Sequence, residues 1–504
     1  MFSQLKSFVL TGLDCRQIEI ETDRTNGMHC FNIVGLADTA VKESKERVNA
    51  AIKNSGFKPP YHFGRLTVSL APSNLRKTGG GLDLPIAISI LEATGQIPSL
   101  EPKSIFIGEL SLNGTLRKTN GILPVVIEAA EKNFQKIFLP WANAQEAAII
   151  KGIEVVALKS LTDYFTYLNG KLQPFKPTPT KPIKNTINTD HDFSNIKGQE
   201  KGKRALAIAA AGGHNLLFNG PPGTGKTFLA KALPSILPAL CFQEKLEVTK
   251  IYSIAGLLPT EHPIIENRPF RSPHHTASTA ALVGGGSKIT PGEITLSHRG
   301  VLFLDEILEF PQKTLDSLRQ PLEDRVISIS RSSGTVTFPA NFILIGAMNP
   351  CPCGYLTDPD RECVCNPYTV AKYKAKLSGP VIDRFDLFLE INPVNYQKLK
   401  SQPDQQLTHT IKKQIKLAKA MQKQRFQTTQ IYSNSEMPLK LIEQHCQLDQ
   451  ISNQMLKKAI SVFKLSTRSY YKILKITRTI ADLENSSLIK KQHLAEALQY
   501  RKYE

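Results

Sequence analysis

Three short stretches hold residues whose types and spacing suit phosphate chemistry, and a fourth suits a soft metal ion. Gly220-Pro221-Pro222-Gly223-Thr224-Gly225-Lys226-Thr227 matches G-x-x-x-x-G-K-[ST]. Glycines at this spacing let backbone N–H groups turn inward on phosphate oxygens. Lys226 suits the β- and γ-phosphates of ATP, and the Thr227 hydroxyl suits Mg²⁺. Residues 301–306, VLFLDE, place Asp305 and Glu306 at the end of an apolar run. Two acids there are costly unless a cation or a polar network meets them. Asp305 suits Mg²⁺ through water, and Glu306 suits activation of an attacking water. A third apolar run, FILIGAMNP at 342–350, ends in Asn349, which suits positioning of that water. Immediately after it comes CPCGYLTDPDRECVC, residues 351–365, with Cys351, Cys353, Cys363 and Cys365 in two CxC pairs. Two such pairs supply the four thiolates of a closed tetrahedral Zn²⁺ site, against reduced free thiols or a labile disulfide. CxC is tighter than the usual CxxC. A closed site has no open position for substrate, so the reading is structural.

These groups need a scaffold. NLLF before the glycines reads as a short buried strand, and KTFLAKALPSIL after them opens a helix, whose N-terminus adds its positive dipole end. VLFL and FILIGAM read as further buried strands. Upstream, FNIVGLA, RLTVSLAP, SIFIGELSL and KIFLP read as strands, while KESKERVNAAIKNSG, LDLPIAISILEATG and LPVVIEAAEKN read as helices. The expected order is an α/β or α+β domain at 1–168, then a Pro/Thr/Lys-rich extended linker at 169–195. A nucleotide-binding core follows at 196–394, and a basic, mostly helical segment at 395–504. Within the core lie an insertion at about 250–298, an alternating hairpin at about 325–341, and the four-cysteine loop at 351–365.

Composition narrows the class. At 504 residues the chain is too long for one core. It is 41% apolar and 21% charged, with no apolar run of membrane-span length and no signal-peptide pattern. A cytoplasmic protein with no membrane partner is expected. The net charge is +19, and residues 395–504 carry 20 Lys and Arg against 8 Asp and Glu. Such a field favours polyanions, nucleic acid first.

GPPGTGKT, VLFLDE and Asn349 together resemble an AAA+ ATPase, with Asn349 in the sensor-1 position. The insertion and the hairpin resemble the helix-2 insert and pre-sensor-1 hairpin of the clade holding the magnesium-chelatase ATPase subunit and the MCM helicases. That resemblance implies a pore-lining hairpin with Arg331 near its tip. GPVIDRFDLFLEI, 379–391, resembles the clade's RFDL motif and implies that Arg384 is an arginine finger acting in a neighbouring subunit. STRSYYKILKITRTIADLE, 466–484, resembles the sensor-2 lid helix, with Arg468 at the key position. Lys250, Arg271, His274, His275 and Lys288 are further basic candidates for DNA contact in the insert.

LAPSNLRKTGGGLDLPIAISIL, 70–91, and GELSLNGTLRKTNGILPVVIEAAEKN, 108–133, resemble the Lon proteolytic domain, but the serine's place lies within Gly81-Leu82-Asp83 and the lysine's place is Leu123. Proteolysis is therefore disfavoured. A dyad-less domain of this kind also occurs in RadA branch-migration proteins, as an oligomerisation scaffold. The full order resembles the ComM/YifB family of magnesium-chelatase-like proteins over essentially the whole chain. The resemblance implies α/β architecture: an inactive Lon-protease-like N-terminal domain, then an AAA+ P-loop NTPase core with a helical lid. It implies a homo-hexameric, ATP-dependent DNA motor that promotes branch migration on single- or double-stranded DNA and branched junctions, during natural transformation and homologous recombination, with recombination proteins as possible partners. The competing expectation is an ATPase that remodels a partner protein.

Overall fold

The structure is a computed structural model. It describes the chain except residues 1, 36–38, 74, 76, 78–79, 178–190, 260–261, 287–288, 332–333, 395–396, 398–403, 405, 428, 430 and 502–504. The central part of the expected linker and Lys288 thus lie outside the described residues. No described helix is long and apolar enough to cross a membrane.

The chain divides into two compact units. The first comprises residues 1–182, 242–265 and 328–338. Its seven-stranded sheet has the order β3-β4-β2-β1-β5-β6-β7. The strands are β1 (Phe2–Thr11), β2 (Asp14–Thr25), β3 (Cys30–Val34), β4 (Arg65–Ala71), β5 (Ser104–Phe106), β6 (Lys136–Pro140) and β7 (Glu154–Leu158). β1 and β2 form a long antiparallel hairpin, with Phe2 opposite Asp23 and Thr11 opposite Asp14. Side chains alternate across a strand, and along the first half of β1 exposed and buried positions alternate strictly. The hairpin turns at Gly12, which holds φ +67°. The sequence reading missed this hairpin because half of its residues are polar and its apolar stretch is broken early. The helices Thr39–Asn54, Asp83–Ala93 and Ile122–Glu131 lie where the apolar spacing placed them. Asp83–Ala93 is buried almost all round, which requires cover on every face.

The second unit comprises residues 183–241, 266–327 and 339–504. Its five-stranded sheet has the order β9-β10-β11-β8-β12, all neighbours parallel. These are β8 (Leu216–Asn219), β9 (Phe270–Arg271), β10 (Val301–Leu304), β11 (Ile343–Met348) and β12 (Leu387–Glu390). All four residues of β10 are fully buried, as continuous apolar runs in a helix-covered parallel sheet must be. Each such side chain contributes about 1.5–3 kcal/mol of burial.

The lid is a set of helices around Thr467–Leu483, which Ser466 caps by accepting a hydrogen bond from Ser469 N–H. One face of that helix joins the same core as the sheet through Ile473, Ile476 and Ile480. Inside, Asp482 accepts from Arg425 at 2.7 and 2.9 Å, from Arg478 at 3.0 Å and from Asn434 at 2.8 Å. A fully buried carboxylate demands this many donors.

The region between the P-loop helix and β10 does not stay together. The helix Phe242–Ala255 and the residues up to 265 belong to the first unit, and residues 266–298 belong to the second.

Candidate nucleotide site

Parallel pairing sets the site. β8 pairs with β11 so that Asn219 lies opposite Met348, which brings the two strand ends, Gly220 and Asn349, side by side. Ligand sites of open parallel sheets lie at these carboxyl ends. Gly223 and Gly225 hold φ +76° and +88°, left-handed values that an L side chain rarely adopts. Gly220 is needed for space, since a Cβ there would stand 2.2 Å from the Ile391 carbonyl oxygen. The helix Lys226–Ile236 begins directly after Gly225.

Lys226 is buried, and its Nζ donates to the carbonyls of Gly220 (2.5 Å) and Pro221 (2.8 Å) and to Asn349 Oδ1 (3.1 Å). Burial pushes its pKa down to about 8, with Asp305 and Glu306 pulling the other way. Thr224 donates to the Pro221 carbonyl at 2.9 Å. The Thr227 hydroxyl donates to Asp305 Oδ2 at 2.7 Å. Glu306 follows with φ +48° and a side chain about half exposed. Lys226 is thus bonded directly to Asn349, and Thr227 to Asp305. The donor set fits Mg²⁺-ATP: a lysine and a strand-end asparagine for phosphate, a hydroxyl and a carboxylate for a hard cation.

The sequence reading missed one neighbour. His275 Nδ1 lies 3.3 Å from Glu306 Oε2, and its ring stacks at 4.1 Å on His274. No spacing rule links residues on separate loops of a sheet. His275, one of the basic candidates for DNA contact, lies against the candidate general base. Arg271, another such candidate, forks onto Glu293 through two 2.6 Å bonds. Lys250 lies on the helix Phe242–Ala255. Arg331 ends the strand Val326–Arg331, which pairs with Gly334–Pro339 as the expected hairpin.

Arg384 and Arg468 lie elsewhere. They share a cleft of about 330 Å³ with Glu323, Arg325, Asp383 and Lys472, and no residue of the glycine loop lines it. Both arginines pair with Glu323, Arg468 at 3.6 Å. Arg384 is nearly buried, yet its Nε and Nη1 have no hydrogen-bond partner among the described residues. A buried guanidinium with two unspent donors is costly and suits an anion entering the cleft.

The four cysteine sulfurs converge within 4.8 Å of one another. Cys351 lies 3.3 Å from Cys353 and 3.6 Å from Cys363, and Cys353 lies 3.6 Å from Cys363. All four are free thiols. Sulfurs bound tetrahedrally to one Zn²⁺ stand about 3.8 Å apart, so the set fits a single ion.

In the first unit, Leu123 is fully buried and its N–H donates to Glu146 Oε1 at 3.1 Å. Ser253, from the helix Phe242–Ala255, donates to the same oxygen, and Asn143 donates to Glu146 Oε2 at 3.0 Å. Gly121 N–H donates to the Ser253 carbonyl at 3.0 Å, and Lys118 Nζ to that of Leu258 at 2.9 Å. Asp83, also fully buried, accepts from Arg47 at 2.9 and 3.1 Å and from Leu110 N–H at 3.2 Å. Burial raises its pKa above the usual carboxylate range against the pull of Arg47.

Comparison with known proteins agrees with this architecture. Residues 192–399 match the family model "Magnesium chelatase, subunit ChlI", residues 20–143 match "Subunit ChlI of Mg-chelatase", and residues 405–501 match "Magnesium chelatase, subunit ChlI C-terminal". The competence protein ComM of Haemophilus influenzae is 41% identical over 497 residues, covering 97% of this chain and 95% of that protein. The uncharacterized protein YifB of Escherichia coli is 40% identical over 492 residues, covering 97% and 95%. Lon protease 2 of Bacillus subtilis is 25% identical over 191 residues, 34% of this chain and 33% of that protein. With a glycine loop, strand-end acids and lid of this form, and with relatives aligned from end to end, the chain belongs to the ComM/YifB family of magnesium-chelatase-like AAA+ ATPases.

Proposed function

We propose that the chain is the subunit of a ring-shaped DNA motor that uses ATP hydrolysis to drive branch migration, the movement of a strand-exchange junction, during integration of DNA in natural transformation and homologous recombination. One observation carries the ring reading: Arg384, with two unspent buried donors, shares a cleft with Arg468 away from the chain's own glycine loop. Arginine donors left unspent in a cleft that does not serve its own nucleotide suit the γ-phosphate of a neighbouring copy. The fixed guanidinium would offset charge developing there. The polyanion reading draws support from the +19 charge and from the strand pair that ends at Arg331. A channel of this kind reads backbone charge, so binding weakens steeply with salt.

Within each site, the chain's residues would act as follows. Lys226 and the loop N–H groups hold the phosphates, and Thr227 and Asp305 hold Mg²⁺. Glu306 takes the proton of the attacking water, and Asn349 orients that water. Bound ATP supplies the phosphoanhydride bond whose cleavage drives the movement. The four thiols of Cys351, Cys353, Cys363 and Cys365 bind a structural Zn²⁺.

The test is ATP turnover with and without DNA, together with movement of a labelled Holliday or three-stranded junction. Stimulation by DNA and ATP-dependent junction movement are expected. Absence of DNA binding at low salt would sink the reading. The match of 192–399 to a chelatase subunit would then favour remodelling of a partner protein.

A further inference from the structure

The four-cysteine loop does not stand apart from the nucleotide site. It begins two residues after Asn349, whose side chain accepts from Lys226. Its first turn closes through Gly354 N–H onto the Cys351 carbonyl at 3.0 Å, and Cys351 is fully buried. Gly354 holds φ +88°, and a Cβ there would stand 2.8 Å from Pro222 Cδ and 3.3 Å from Pro222 Cγ. The backbone of the thiol loop therefore rests directly on the second proline of GPPGTGKT.

The loop leaves toward a second part of the site. Asn366 caps the helix Pro367–Lys374 by accepting from Thr369 N–H at 2.7 Å. Just beyond that helix, Lys376 pairs at 3.3 Å with Glu309, in the turn that follows Glu306. Pro222 and Asn349 thus adjoin the loop itself, and the turn after Glu306 meets the segment that follows it.

Apolar packing does not hold that loop closed. Leu356 is exposed, and Val364 is 87% exposed. Between Cys353 and Cys363 the described hydrogen bonds are local, such as Asp358 N–H to the Tyr355 carbonyl and Arg361 to the Tyr355 hydroxyl. The convergence of sulfurs is what joins the two CxC arms.

We propose that a thiolate-bound divalent ion, Zn²⁺ by ligand chemistry, is the brace of the glycine loop, so that occupancy of the Cys351–Cys353–Cys363–Cys365 site sets nucleotide affinity. The inference rests on the zinc reading above. Its physical content is preorganisation: with the ion in place, Gly354 holds Pro222 and the strand end holds Asn349 in the receiving shape. Without it, the arms separate, and nucleotide binding must first order the loop.

The experiment uses the full chain and a fluorescent ADP analogue as probe, with zinc measured by mass spectrometry. Protein as purified carries one zinc per chain. Stripping it with a soft chelator that spares Mg²⁺ weakens the analogue at least about tenfold, and adding Zn²⁺ back restores binding. Gly354→Ala keeps the four thiols and the zinc but drives a methyl into Pro222, and weakens binding similarly. Cys363→Ser/Cys365→Ser loses both zinc and affinity. Should that double variant fail to fold, chelation and re-addition of Zn²⁺ still decide. Zinc bound but removable with unchanged affinity overturns the brace and leaves the zinc reading intact. Purified chain without zinc overturns the zinc reading and the brace with it.

Discussion

Two regions of this chain hold buried charged side chains, and the two differ in how fully those charges are paired. In the second unit, Lys226 bonds directly to Asn349, and Thr227 to Asp305, at the ends of parallel strands. In the first unit, Gly81-Leu82-Asp83 and Leu123 stand where the resemblance to the Lon proteolytic domain would put a serine and a lysine. There, Asp83 is spent on Arg47, Lys118 on the Leu258 carbonyl, Gly121 N–H on the Ser253 carbonyl and Leu123 N–H on Glu146. The buried charges differ in the same way. Lys226 is held by neutral carbonyls and an amide, which a phosphate outcompetes, so it is available. Asp83 is held by a guanidinium, and Glu146 by three donors, so neither is free to act. A group kept for chemistry is paired weakly, and a group kept for structure is paired fully.

The comparison breaks or sharpens under four substitutions. The largest effect is expected from Glu306→Gln, which removes the base but leaves the phosphate cradle. ATP turnover falls about 10²–10⁴-fold while nucleotide still binds. Persistent turnover would remove Glu306 from the role. Arg384→Ala comes next, with turnover falling about 10³-fold. Mixing it with Lys226→Ala subunits should recover part of the activity, because one intact site forms where complementary copies meet. Failure to recover would place Arg384 in its own subunit's site or outside catalysis.

The third test acts on the other region. Gly81→Ser/Leu123→Lys supplies the types of the proteolytic dyad, yet no peptide hydrolysis should appear, because position 123 is fully buried beneath structural contacts. Instead the introduced ammonium destabilises the first unit by several kcal/mol, read by denaturant unfolding. Appearance of peptidase activity would show that the face is merely unarmed. Smallest is Ser253→Ala, which leaves Glu146 short of one donor at a cost of about 1–3 kcal/mol. Hydrogen exchange should rise first along 118–131 and 242–255. Unchanged protection there would mean that the helix is held by other contacts.

The phosphate site was legible because its parts are local. Eight consecutive residues contain the glycines, the lysine and the hydroxyl, and a buried apolar run announces each strand that follows. The convergence of Cys351, Cys353, Cys363 and Cys365 was legible for the same reason. Other features were hidden by long-range packing. The β1–β2 hairpin escaped because its polar faces mask the strand period. His275 beside Glu306 escaped because the two sit on loops that only the sheet order brings together. The helix Phe242–Ala255 reads as part of the nucleotide-binding sequence, yet it packs with the first unit.

The sequence by itself determined which chemistry is available here: groups for phosphate and Mg²⁺, and four thiols for a soft metal ion. Those properties depend on residue type and short spacing. Only the tertiary structure decided that Arg384 and Arg468 face one cleft, that Ser253 donates to Glu146, and that Gly354 rests on Pro222. Each is a meeting of segments distant along the chain, and burial of apolar surface with full pairing of polar groups selects it from many arrangements the local sequence would allow.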